Sequence, residues 1–76
     1  MNKKHGEKYF QLGLNIAYYR KMRGLNQESL AEMIGISRTH ISNIEAPRME
    51  KSLSLDVLFD IADALGVPVS KLFEIR

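Results

Sequence analysis

The chain contains no cysteine among its 76 residues. This absence excludes disulfide bonds and any zinc site built on thiolates. Without such cross-links the fold depends on apolar packing, and a single domain of this length buries only ~60% of the surface of its unfolded form. A cysteine-free composition is typical of a reducing compartment, and we expect a cytoplasmic protein.

Several other sequence signals are also missing. No apolar run approaches the ~20 residues of a membrane-spanning helix, and the N-terminus lacks the basic-then-apolar order of a signal peptide. No glycine-rich nucleophile turn, phosphate loop or paired catalytic base is present, so we do not expect an enzyme. The two histidines, His5 and His40, lie far apart without nearby carboxylates at ligand spacing, and we expect neither a metal nor a cofactor.

The charge is polarised along the chain, although the net charge is only +2. Residues 1–25 carry six basic side chains and one acidic one, whereas residues 53–76 carry four acidic and two basic ones. We predict that residues 1–8 form a flexible basic arm ahead of a domain at 9–76. Such an arm can neutralise DNA phosphates, and a frayed, solubilising terminus fits the same residues equally well.

Helical periodicity recurs along the chain. Leu12, Ile16 and Tyr19 form an apolar stripe within residues 9–23, which predicts a half-buried first helix ending at Gly24. Three further helices are predicted from N-caps and stop signals, and a last short one from the apolar residues near the C-terminus. The predicted caps are Asn26, Ser37 and Ser54, the stops are Gly35, Pro47 and Gly66, and the last helix includes Ser70, Leu72 and Phe73. No alternating run predicts a strand, so the expected class is all-α with five helices.

The most informative segment is Gln27–Glu45, QESLAEMIGISRTHISNIE. Ala31 is small where two short helices must approach, Gly35 suits the turn between them, and isoleucines and leucines supply the packing beneath. The remaining polar side chains point outward on the second of these helices, which begins near Arg38. A major groove about 12 Å wide admits such a face.

The chain resembles the helix-turn-helix family of phage lambda repressor, Cro and their bacterial relatives, the XRE family. The resemblance runs from about Leu12 through RKMRGLNQESLAEMIGISRTHISNIE to DIADALGVPVSKLF. It implies a five-helix lambda repressor-like fold whose third helix docks into the major groove of double-stranded DNA. It also implies that the chain is a transcriptional regulator, by default a repressor, which binds a palindromic operator as a homodimer.

The resemblance assigns roles to individual residues. The base-reading positions are Arg38, Thr39, Ser42 and Asn43, and the phosphate-contacting positions are Asn26, Gln27, Ser37, His40, Arg48, Lys51 and Ser52. For His40 an ordinary solvated side chain is the competing interpretation, as it is for the whole polar face. The chain departs from the family at Ala46 and Pro47, where relatives commonly have glycine, so the following loop is less well defined.

Two structural roles complete the prediction. Arg20 and Glu45 match a pair that forms a salt bridge between the first and third helices in relatives, and Phe59, Leu72 and Phe73 match the region through which relatives dimerise. Two other functions stay open. The same fold serves as an antitoxin that binds a toxin protein, and proteins of this size control restriction-modification genes.

Overall fold

The described part of the chain is helical, with no strand in residues 3–46 and 53–74 of this computed structural model. Four α-helices are flanked by two short 3-10 helices. In chain order they are a 3-10 helix at Lys3–His5, α1 at Gly6–Met22, α2 at Gln27–Ile34, α3 at Arg38–Glu45, α4 at Leu55–Leu65 and a second 3-10 helix at Val69–Phe73. The all-α prediction is confirmed, and none of the described helices is long and apolar enough to cross a membrane.

Both chain ends differ from the sequence prediction. The predicted fifth α-helix is a 3-10 helix of five residues, Val69–Phe73, which follows Pro68 without a side-chain cap. A segment this short favours the tighter i to i+3 hydrogen bonding. At the other end α1 already begins at Gly6, so Gly6 to Lys8 belong to the helix rather than to an arm. Glu7 in the first turn favours this early start, because a carboxylate stabilises the positive end of a helix.

The three predicted N-caps are confirmed. The Asn26 Oδ1 accepts a hydrogen bond from the backbone N–H of Ser29 at 2.7 Å. The Ser37 Oγ accepts from His40 N–H at 3.0 Å, and the Ser54 Oγ accepts from Val57 N–H at 3.1 Å. Each cap satisfies a backbone donor that the first turn of a helix leaves without an intrahelical acceptor.

The turn between α2 and α3 is made at Gly35, which has φ 76°. In this left-handed conformation a side chain would be strained, so glycine is favoured. The chain then returns onto α2, and the backbone N–H of Ile36 donates to the carbonyl of Ala31 at 3.0 Å. This arrangement ends α2 in a fixed geometry and sets the direction in which α3 leaves.

The core gathers apolar side chains from all four α-helices and from the C-terminal 3-10 helix. Its fully buried members include Ile16, Leu30, Ile41, Ile61, Leu65 and Leu72. Leu72 is 0% exposed, so its assignment to a dimer surface is wrong. The C-terminal 3-10 helix packs against α1 and α4, and Leu72 faces inward to close the core there.

Two close contacts fix α1 in the fold. A Cβ at Gly13 would lie 2.6 Å from the carbonyl oxygen of Ile44, so α1 and α3 approach more closely than any larger residue permits. Asn15, which is fully buried, donates through Nδ2 to the carbonyl of Leu72 at 2.9 Å and to that of Glu74 at 2.7 Å. Asn15 thereby ties the C-terminal segment to α1.

Candidate nucleic-acid interface

The outer face of α3 carries a cluster of exposed polar side chains. Ile41 and Ile44 are buried on the inner face, which turns Thr39 and Asn43 outward one helical turn apart. Arg38 precedes them in the first turn and is also exposed. Among the described residues the Arg38 guanidinium has no ion-pair partner, so its five N–H donors remain available to a ligand.

These side chains have the chemistry needed to distinguish base pairs. An arginine fork can donate two hydrogen bonds to the O6 and N7 of guanine, and an asparagine amide can pair with the N6 and N7 of adenine. Thr39 offers a methyl group for contact with thymine. Ser42, assigned with them, is half-buried, so less of its side chain is accessible than at the other three positions.

The N-terminus of α2 is the second polar feature of the candidate interface. Asn26 caps the helix, and Gln27 is its first residue. The first turn of a helix presents backbone N–H groups and a partial positive charge, both of which favour a phosphate. The Asn26 Oδ1 is used by the cap, accepting also from the Ser29 hydroxyl at 2.8 Å, whereas the amide nitrogen of the same side chain keeps its two donors for an anion.

An ion pair joins α1 to the end of α3. The Arg20 Nε donates to Glu45 Oε2 at 2.8 Å, and the Arg20 Nη2 donates to Glu45 Oε1 at 3.0 Å. This bidentate pair is the one that the family resemblance implied. The two side chains are only 8% and 6% exposed, so the pair is largely shielded from solvent. Arg20 donates once more, from Nη1 to the carbonyl of Leu25 at 2.8 Å.

The same carboxylate also holds Gln27. The Gln27 Nε2 donates to Glu45 Oε1 at 3.1 Å, so Glu45 receives hydrogen bonds from both α1 and α2. Sequence reasoning missed this bond, because it assigned Gln27 only to phosphate and Glu45 only to Arg20. The primary amide has a second N–H, which is free to donate elsewhere while the first is held by Glu45. The α2 N-terminus is therefore fixed to the end of α3 by a side-chain network.

Ser37 and His40 stand at the start of α3. The Ser37 Oγ accepts the capping bond from His40 N–H, which leaves the hydroxyl hydrogen as a donor. Both residues are exposed. The remaining positions assigned to phosphate, Arg48, Lys51 and Ser52, lie outside the described residues, as do the first two residues of the predicted arm.

The surface predicted to form the dimer interface retains two of its three residues. Phe59 on α4 and Phe73 in the C-terminal 3-10 helix are both about half-exposed, unlike Leu72. Phe73 borders a groove of about 510 Å³ between α1 and this 3-10 helix. The groove is mainly apolar, and its lining residues are His5, Lys8, Tyr9, Gln11, Leu12, Leu72 and Phe73.

Asn15 and Gly13 are the residues that sequence reasoning overlooked. Asn15 follows Leu12 by three positions and so falls on the predicted apolar stripe of α1. A polar residue at such a position has to be hydrogen-bonded when buried, and this signal was sufficient to predict an internal contact. Gly13 gave no comparable signal, because its close approach to α3 depends on the packing of two helices. Within the described ranges no group of His, Cys, Asp or Glu is placed to hold a metal ion.

The geometry defines a helix-turn-helix protein, and comparisons with known proteins agree. The sequence profile of the HTH_3 family, described as helix-turn-helix, matches residues 16–72. The chain is 41% identical over 61 residues to control protein C.SmaI of Serratia marcescens, a match covering 80% of this chain and 70% of that protein. It is 42% identical over 59 residues to the immunity repressor protein of Bacillus phage phi105, covering 78% of this chain and 40% of the repressor.

A solved structure supports the same assignment. The crystal structure of the restriction-modification controller protein C.AhdI from Aeromonas hydrophila superposes with a TM-score of 0.82 at 29% identity, covering 91% of this chain and 97% of that chain. The chain belongs to the HTH_3 helix-turn-helix family, as the XRE-type motif predicted.

Proposed function

We propose that the chain is a sequence-specific regulator of transcription that binds double-stranded DNA through α3. The observation that carries the proposal is the exposed polar face of α3, on which Arg38, Thr39 and Asn43 stand beside the capped N-terminus of α2. A DNA-binding surface needs side chains that reach base edges next to groups that bind phosphates, and α3 and the α2 N-terminus supply the two. The Arg20–Glu45–Gln27 network supports the assignment, because it holds both elements in one orientation.

The two elements should contribute differently to binding. Arg38, Thr39 and Asn43 read base edges, with Ser42 at their margin, whereas Asn26, Gln27, Ser37 and His40 contact phosphates. Arg48 and Lys51 extend the phosphate contacts beyond α3. A good bidentate base contact is worth ~1–3 kcal/mol of discrimination, whereas a phosphate contact carries no sequence information.

Phe59 and Phe73 support a homodimeric form. Two copies related by a two-fold axis place their α3 helices in successive major grooves about 34 Å apart, which requires a palindromic site. The half-exposed rings and the apolar groove next to Phe73 provide a surface that dimerisation would remove from water. Occupying such an operator represses transcription when the site overlaps a promoter.

The decisive experiment selects binding sites from random double-stranded DNA with the full chain. We expect an imperfect palindrome, with affinity falling as salt rises, because phosphate binding releases counterions. Arg38→Ala should lose discrimination at particular base pairs, whereas Gln27→Ala should weaken all sites about equally. Circular dichroism of both variants checks folding. Failure of the wild-type chain to enrich any site would overturn the proposal.

A specific observation favours one biological setting, the control of a restriction-modification gene pair. The relative C.SmaI is a control protein, and the controller C.AhdI superposes on 91% of this chain over 97% of its own length. The test places the promoter of the chain's own gene and those of its neighbours before a reporter. Regulation of an adjacent restriction or methyltransferase gene supports this setting. Regulation confined to unrelated genes contradicts it.

A further inference from the structure

Helix α1 has apolar side chains on two faces, and only one of them belongs to the core. The second face carries Phe10, Leu14, Tyr18 and Met22, which are 40%, 44%, 42% and 66% exposed. Residues four apart in a helix lie nearly above one another, so these four form one stripe about 18 Å long. We call it the outer stripe. A helix with two apolar faces is usually covered on both sides.

The outer stripe lies apart from the surfaces already described. α1 meets α3 at Gly13, whose Cβ position faces the backbone of Ile44 and Glu45. The groove next to Phe73 is lined by Gln11 and Leu12 of α1, and by no residue of the outer stripe. The outer stripe therefore belongs neither to the contact with α3 nor to the lining of this groove.

One pair of opposite charges flanks the stripe in a self-complementary way. Glu7 and Lys21 are exposed on the same side of α1 as the stripe, near its opposite ends. They are separated by 14 positions, 21 − 7, or about 21 Å along the helix, so they do not pair within one chain. A second α1 running antiparallel brings Glu7 of each copy to the Lys21 end of the other, and it also opposes the two helix dipoles favourably.

We infer that a second copy of this chain covers the outer stripe with its own stripe, the two α1 helices running antiparallel. In the register that superposes the stripes, Phe10 lies opposite Met22 and Leu14 opposite Tyr18 of the other copy. Glu7 then lies about 6 Å along the axis from the opposing Lys21, a distance that the long lysine side chain spans.

The contact is small, because four side chains on each side bury less than a stable dimer requires. It is therefore a weak contact that forms where copies are already concentrated. If the proposed function is correct, copies bound to neighbouring DNA sites meet this condition, since a shared DNA raises their effective concentration. The contact itself does not depend on DNA.

A charge exchange tests the pairing. Glu7→Lys and Lys21→Glu should each weaken self-association roughly tenfold, because a two-fold contact contains two such pairs, and the double variant should restore it. Sedimentation equilibrium measures the association of the full chain. Each variant is measured both by itself and combined with Phe73→Glu, which removes any dimer formed through Phe73. Glu32→Lys on α2 is the matched control for net charge and should leave association unchanged.

The absence of cysteine permits a direct test of orientation. A mixture of Leu14→Cys and Tyr18→Cys chains should form the mixed disulfide in preference to either symmetric one, whereas parallel helices would favour the symmetric products. Glu28→Cys on α2 should stay monomeric as the control. Predominance of symmetric disulfides, no association at millimolar concentration, or no rescue by the double charge exchange would each overturn the inference. DNA binding by the same variants is measured separately, so a failed DNA-binding proposal remains distinguishable.

Discussion

Two regions of this small protein are held together by different means. In the α2–α3 unit, residues 27–45, neighbours in sequence make the contacts: each helix starts at its own cap, and Gly35 makes the turn between them. Where α1 meets the C-terminal segment, Asn15 reaches carbonyls 57 and 59 positions further along the chain. The first region carries the candidate interface, and the second ties the C-terminal segment to α1. Local signals position the exposed polar side chains of α3, whereas long-range polar contacts keep the helices from separating.

The sharpest test of this division removes Glu45, which ties the α2–α3 unit to α1. Glu45→Ala leaves the Arg20 guanidinium buried without its carboxylate and frees Gln27, so the free energy of unfolding should fall by roughly 3–5 kcal/mol. Urea denaturation followed by circular dichroism measures the loss.

The control for Glu45 replaces the whole pair. Arg20→Met combined with Glu45→Leu removes both buried charges and should stay close to wild-type stability, because well-packed apolar residues often substitute for a buried pair. This variant keeps the fold but leaves Gln27 without its acceptor, so its DNA affinity should fall. An unstable double variant would contradict the assignment of the stability loss to an uncompensated charge.

The contact between α1 and α3 is tested at Gly13. Gly13→Ala places a methyl group 2.6 Å from the carbonyl oxygen of Ile44, and separating the helices should cost about 1–3 kcal/mol. Gly6→Ala is the matched control, since nothing lies within 4 Å of its Cβ position. Thermal unfolding of the two variants should differ clearly. Equal melting temperatures would mean that the helices are not in close contact.

The second region is tested at Asn15. Asn15→Leu removes both Nδ2 donors and leaves the carbonyls of Leu72 and Glu74 without them, which should cost about 1–3 kcal/mol. Hydrogen exchange should accelerate most at the amides of Lys71 and Glu74, which donate within the C-terminal segment. Gln11→Ala, which removes only the 3.4 Å bond to Asn15 Oδ1, should have a smaller effect. Uniform acceleration across α2 and α3 would show that the two regions are not separable.

The smallest expected effect separates stability from recognition within the first region. Ser37→Ala and Ser54→Ala remove equivalent caps from α3 and α4, and each should cost about 1 kcal/mol of stability. Only Ser37 lies at the start of the proposed recognition helix, so only Ser37→Ala should also weaken DNA binding, as measured by fluorescence anisotropy. Equal losses of affinity would mean that Ser37 acts only through stability.

The agreement between sequence and structure follows the same division. Caps at Asn26, Ser37 and Ser54 were predictable because each needs only a side chain and a backbone N–H three residues away. The Arg20–Glu45 pair came from the family resemblance. The bond from Gln27 to Glu45 and the burial of Leu72 were not predicted, since each depends on how separate elements pack. The early start of α1 was missed although Glu7 in its first turn is a local signal.

The sequence by itself determined the helices, their caps and the turn at Gly35, and with them the polar face of α3. These features follow from periodicity and from hydrogen bonds between near neighbours, which any local stretch of chain can express. Only the tertiary structure decided that Glu45 joins three helices, that Asn15 holds the C-terminal segment and that Leu72 is buried while Phe73 is exposed. Those outcomes require residues distant in sequence to meet, and which of them meet is settled by the packing of one shared core.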